Sequence, residues 1–215
     1  TYNLGANYTY NGIVNQVTGN GLPATVNDLI INNSASSGTV TMSADCAVSN
    51  ALTLTAGTLT TSTFSLGYSN TTANLTRTSG AINASGGTMN FGAAVSALNL
   101  PVGLFSGNIN NLTMNRAGGV VLAEATTVNG ALTLTGGLLT STSTNILSLG
   151  ASATVSGGST ASHVSGPMRR TMNGAAAFLF PFGTGGAYYP MTITTTAASS
   201  AIVLAEPVTA DAGGS

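Results

Sequence analysis

Two stretches of this 215-residue chain nearly repeat each other: ALTLTAGTLTTSTFSLG at residues 51–67 and ALTLTGGLLTSTSTNILSLG at residues 131–150. In both, Leu-Thr-Leu-Thr alternates apolar and hydroxyl side chains with period two. That pattern turns one face of an extended chain toward a core and the other toward water. β-branched Thr favours extended backbone, and its hydroxyl suits the wet face. Elsewhere the apolar runs are short, with Gly, Asn or Ser between them, and the chain carries 28 glycines. This is turn chemistry, and no apolar set recurs at helical spacing over three turns. The chain reads as all-β.

The repetition extends beyond these phrases. Leu29 in NDLIINN matches Leu112 in NNLTMNR, Val40 and Met42 match Val120 and Leu122, and Val48 matches Val128. Leu66-Gly67 match Leu149-Gly150. Two internal repeats result, about residues 27–67 and 110–150. Their length changes fall in Gly/Ser/Thr/Asn stretches near Ala117-Gly118 and Ser143-Asn145, as expected of loops between fixed strands. A finer interval lies inside: Leu29, Leu52, Leu75 and Leu98 are spaced by 23, and Leu112 and Leu132 by 20. A unit of about 20 residues made of short strands and turns is the signature of a β-solenoid. Each strand then pairs with its equivalent one coil away, ~4.8 Å along the axis. On this reading the phrases recur because the coil returns to the same corner. The rival is a β-sandwich, whose strands are usually longer.

The expected architecture is a parallel β-helix or β-solenoid over residues 1–165. A β-rich, sandwich-like capping or junction element follows over residues 166–215. That last part holds longer strands around residues 178–180, 191–195 and 202–205, clustered aromatics, and four of the six prolines.

Composition excludes several classes. Charged residues make up only 4% of the chain, with no lysine and a net charge of −1. The basic residues are Arg77, Arg116, Arg169 and Arg170, and the acids Asp28, Asp45, Glu124, Glu206 and Asp211 are scattered. Nothing here makes the basic stripe that nucleic acid requires. A 43% hydrophobic content supports a buried core. Solubility resting on Thr, Ser and Asn leans extracellular. The single Cys46 excludes an intrachain disulfide, and its place in Val40-x-Met42-x-Ala44-x-Cys46-x-Val48 makes it a buried structural thiol. No apolar run reaches the ~18 residues of a membrane span. The start, TYNLGANYTY, has neither Met nor a signal peptide, as expected of a processed or excised segment.

Several phrases, in this order, carry a resemblance: YTYNGIVNQVTGNGLPATVNDLIINN, VNGALTLTGGLLTST, ILSLGASATVSGGSTASHVSGPMRRTM and FLFPFGTGGAYYPMTITTT. Together they resemble the long repetitive surface proteins of the Bacteroidota. The resemblance implies a large adhesin-like protein exported by the type IX route and built of β-helical and β-sandwich modules. It implies no catalytic residues.

The chemistry agrees with a non-enzymatic reading. Polysaccharide-cleaving β-helices need clustered carboxylates, or a carboxylate beside Lys or Arg. Here the acids are isolated, apart from Glu206 and Asp211. No Gly-x-Ser-x-Gly elbow, metal spacing or calcium loop occurs, so neither metal nor cofactor is expected. The compact polar cluster is SHVSGPMRR. Its His163, Arg169 and Arg170, with Tyr188 and Tyr189, are the candidate glycan contacts. The plainer reading makes the arginines a solvent-facing or carbonyl-capping turn at the junction. Phe178, Phe180 and Phe182 alternate onto one face and read as a core plugging the coil, ahead of a sugar platform. Thr53/Thr55 and Thr133/Thr135 could suggest an ice-binding face, but the 20–23 spacing is too irregular for one. The expected function is an extracellular stalk or filament module of a bacterial cell-surface adhesin. Its expected partners are neighbouring modules of the same chain or identical subunits end to end, and surface glycans. The alternatives are a carbohydrate-binding module on a β-helix and a polysaccharide-active β-helix enzyme.

Overall fold

Most strands of this chain have only two to six residues, too short to persist alone. Each is held instead by backbone pairing with a strand one coil away. The structure, a computed structural model, describes residues 5–35, 37–196 and 200–207. Among these described residues it is a β-solenoid of about 7 turns without α-helix. The main sheet has nine strands, all parallel, running from Tyr8–Tyr10 through Thr25–Asn32, Cys46–Ala56 and Ser65–Tyr68 to Thr154–Gly157. This pairing excludes the sandwich, whose sheets are antiparallel.

Parallel pairing stacks equivalent side chains. Val26, Val48, Tyr68, Phe91, Met114 and Leu134 follow one another in register, and all are buried. A second column runs Leu98, Val120, Leu139, Val164, Phe182. These columns join in one hydrophobic cluster along the coil. Burying each large apolar side chain contributes about 1.5–3 kcal/mol relative to exposure. Outside, hydroxyls form their own ladders: Thr76 Oγ1 donates to Thr53 Oγ1 at 3.2 Å and Ser156 Oγ to Thr133 Oγ1 at 3.1 Å.

The two repeated phrases do not share a corner. Leu52 stacks between Leu29 and Leu75, whereas Leu132 belongs to the ladder of Cys46, Leu66, Met89 and Leu112. Strand Cys46–Ala56 serves both ladders, pairing residues 46–48 with 66–68 and residues 52–54 with 75–77. The first ladder stops there. Arg77 takes the place that Ile31 and Leu54 fill in the coils below, and its guanidinium turns away to Val102 O. Leu98, the fourth of the evenly spaced leucines, pairs with Val120 in a different sheet.

What recurs is local geometry. The register skips Thr55 opposite residues 31–32 and skips Thr135 opposite residues 114–115, a bulge in each phrase. Each phrase then turns on a glycine with positive φ, +80° at Gly57 and +74° at Gly137. A Cβ there would collide with a backbone oxygen of an earlier coil, Asn33 O or Arg116 O. The Cys46 alternation is likewise not one strand: Ala44 lies exposed in the turn between Thr39–Thr41 and Cys46–Ala56, while Cys46 itself is buried.

After the last parallel coil the pairing turns antiparallel. Met168–Asn173 pairs with Ser200–Ala205, Ala177–Phe180 with Met191–Thr194, and Phe182–Thr184 with Ala187–Tyr188. Phe178, Phe180 and Phe182 are buried there.

Two predictions follow from this packing. Leu132 is fully buried, so Leu132→Ala is expected to cost ~2–5 kcal/mol in urea unfolding, and Thr133→Ala, on the outer face, under about 0.5 kcal/mol. Burial also raises the Cys46 thiol from 9.0 to about 11 and the Tyr68 phenol from 10.0 to about 12. Both groups hold their protons more tightly when folded, so their contribution is complete below pH 9.0 and is lost as pH rises toward about 12. The urea midpoint should fall across that window, and Cys46→Ala should remove the earlier part of the fall.

Candidate functional site

The last coil turns at Gly166-Pro167, where Ser141 Oγ donates to Pro167 O at 2.6 Å, and enters strand Met168–Asn173. Alternation along that strand sends Met168, Arg170 and Met172 inward and leaves Arg169 exposed. Arg170 therefore lands above Leu149, in an apolar column, with no choice of face. Its guanidinium donates to Leu179 O at 2.9 Å and to Ala153 O, and lies over the Phe178 ring, 5.2 Å from its centroid. Burial lowers its pKa. Nε has no acceptor from the protein. Arg170 lines a groove of about 340 Å³ between residues 151–155 and 177–179.

The other four candidate residues divide between interior and surface. His163 is fully buried; its Nδ1 lies 3.0 Å from Ser159 O, and its ring is 5.7 Å from that of Tyr188. Tyr188 is half-buried, which raises its phenol pKa. Arg169 and Tyr189 face solvent. The fold thus brings His163 to Tyr188, and holds Arg170 in a separate set of contacts with the last hairpins.

Three of the carboxylates are occupied in joining coils. Asp28 Oδ1 accepts from Asn50 Nδ2 at 2.6 Å and from Ala51 N at 3.1 Å. Asp45 Oδ1 accepts from Ser65 N at 2.8 Å, and Glu124 Oε1 from Gly103 N at 2.9 Å. Asp28 and Asp45 thus reach forward to the following coil, and Glu124 back to the preceding one. Glu124 and Asp45 line two small grooves of about 180 and 150 Å³, one carboxylate to each. Asp211, the expected neighbour of Glu206, lies outside the described residues. Among the described residues no group of three or more His, Cys, Asp or Glu gathers to hold a metal.

Sequence reasoning passed over Arg116. It is fully buried, reaching back to two earlier coils: Nε donates to Ser96 O and Nη2 to Ser96 Oγ and Asn70 O, each at 2.8 Å. A lone arginine closing the apolar alternation Leu112-Thr113-Met114 was the one available signal.

Comparison with protein families, curated proteins and solved structures found no match. Beside the phrases that carry the resemblance, the geometry of the chain is what bears on its function.

Arg170 and its neighbour test that geometry. Arg170→Met leaves the buried Ala153 carbonyl and the half-buried Leu179 carbonyl without this donor and is expected to cost about 1–3 kcal/mol in thermal or urea melts. Arg169→Ala, at an exposed position, should stay within about 0.5 kcal/mol of the parent.

Proposed function

We propose that this chain is an extracellular structural stalk or filament module of a bacterial cell-surface adhesin, and that it performs no catalysis. The observation that carries this reading is the unbroken parallel stack around one core, with the acids Asp28, Asp45 and Glu124 used as clips between coils. Such a stack resists extension because many backbone bonds share the load across each coil. The resemblance to Bacteroidota surface proteins supports the cell-surface location and type IX export.

About 7 turns at ~4.8 Å each carry the coil only ~34 Å along its axis. A stalk of useful reach needs more coils, from neighbouring modules of the same chain or from identical subunits end to end. The first coil offers a place for them. Strand Gln16–Val17 begins its sheet with Thr39–Thr41 as its one strand neighbour among the described residues. Beside it Ile13, Val14 and Val17 are 79%, 65% and 66% exposed. An apolar strand edge of this kind accepts another strand readily. With so few charges on the chain, little like-charge repulsion opposes the contact.

A glycan-binding role is the second reading, favoured by the groove at Arg170 and the exposed Tyr189. The two readings separate in one pair of measurements. The stalk reading expects concentration-dependent elongated particles by light scattering and electron microscopy, with Val17→Lys shifting them toward monomer, and no signal on a glycan array. A strictly monomeric particle with selective glycan capture would replace it with the second reading.

A further inference from the structure

The chain contains four Asn-Gly steps: Asn11-Gly12, Asn20-Gly21, Asn129-Gly130 and Asn173-Gly174. Asparagine amides are chemically labile, and a following glycine, having no Cβ, leaves its own nitrogen open to approach the amide carbon. That attack needs a glycine N–H able to give up its proton. All four asparagines are exposed, so access to solvent does not separate the steps. The glycine N–H does.

Gly12 N–H donates to Gln16 Oε1 at 3.0 Å, and Gly130 N–H to Asn110 O at 2.7 Å. Gly21 ends the 3₁₀ turn Gly19–Gly21, whose i→i+3 bonding commits its N–H to Thr18 O. Gly174 differs. It follows the last ladder pair, Asn173 with Ser200, in the turn between Met168–Asn173 and Ala177–Phe180. Among the described residues its N–H has no acceptor. Its φ is +82°, and outside its chain neighbours no atom lies within 4 Å of where a Cβ would stand. Nothing packs over this step.

We propose that Asn173-Gly174 is a site of spontaneous backbone modification, where asparagine converts to isoaspartate through a succinimide. Gly174 N loses its proton to solvent and bonds to Asn173 Cγ. The Cγ–Nδ2 bond breaks, and ammonia leaves with a proton. Water then opens the ring. Opening at the Asn173 backbone carbonyl carbon gives isoaspartate, with the main chain now running through Cγ; opening at Cγ gives aspartate. Water is the sole co-reactant, and nothing is oxidised or reduced.

The isoaspartyl chain is one methylene longer and carries a new carboxylate. The turn is tied at its base: Thr195 Oγ1 donates to Gly174 O at 2.5 Å, and Ala176 N–H donates to Thr195 Oγ1 at 3.3 Å. Added length between Asn173 and Gly174 displaces both bonds. They anchor the hairpin of Ala177–Phe180 with Met191–Thr194, which sets Phe178 and Leu179 against Arg170. Conversion therefore loosens that hairpin.

The test takes the whole chain, folded and separately in urea, through incubation in warm, mildly alkaline buffer. Peptide mapping by mass spectrometry and isoaspartyl methyltransferase labelling follow each step. In the folded chain Asn173 should convert about two- to tenfold faster than each of the other three, whose glycine N–H must first leave a hydrogen bond. In urea the four rates should converge. Asn173→Gln should remove the leading conversion and leave the other three rates unchanged. The purified isoaspartyl form should melt below Asn173→Asp, which has the same charge without the added methylene. Another step matching Asn173 in the folded chain overturns the assignment, and so does the same lead persisting in urea. Equal Tm for the isoaspartyl form and Asn173→Asp overturns the loosening of the hairpin.

Discussion

Parallel backbone pairing between successive coils is the constraint on which everything else in this protein rests. A strand of three residues contributes almost nothing alone, but stacked on its equivalent it completes backbone bonds above and below. The same stacking fixes what each inward position can be. A side chain must fit over the one beneath it, so Val26 to Leu134 form a continuous apolar column. Outward positions are freed from that demand and carry Thr, Ser and Asn, whose hydroxyls and amides bond from coil to coil. Charge is nearly dispensable in such a scheme. Three of the acids, Asp28, Asp45 and Glu124, serve as acceptors for amides of an adjacent coil.

Positions where a charge enters a column show how strictly the constraint acts. Arg77 stands where Ile31 and Leu54 stand in earlier coils, and its ladder ends there. Arg170 stands above Leu149, and the parallel coil gives way to antiparallel strands at that level. Both guanidiniums donate to backbone carbonyls, Val102 O for one and Leu179 O with Ala153 O for the other, while Nε of each has no protein acceptor. Arg116 is the third case, drawn inward to hold the segments between Tyr68 and Leu75 and between Phe91 and Leu98. In this chain an arginine marks a place where the regular stack is altered.

Legibility differed between fold and site for a physical reason. Period-two alternation and the 20–23 spacing are imposed residue by residue, so Leu52, Leu54, Leu132 and Leu134 could be assigned to the core directly. Burial of His163 and Arg170 could not be read that way, because polar residues in a turn-rich stretch ordinarily face water. Only the strand alternation from Met168 to Asn173, set by its pairing with residues 147–149, forces Arg170 inside. The grouping of Tyr68, Asn70, Ser96 and Arg116 was invisible for the same reason. Those residues are far apart in the chain and meet only once the coils are stacked.

The sequence by itself determined that the chain is all-β and coiled, and which of its alternating leucines face the core. These are local properties: alternation and β-branching act within a few residues. Tertiary structure alone decided which ladder each phrase joins. The two copies of Ala-Leu-Thr-Leu-Thr encode the same strand, bulge and turn, yet Leu52 continues to Leu75 while Leu132 continues from Leu112. A strand's partner depends on how many residues the intervening loops consume, and those loops lack any periodic signal. Segments 69–74 and 92–97 shift the coil relative to its repeat, and what fixes them is a buried arginine reaching across two coils.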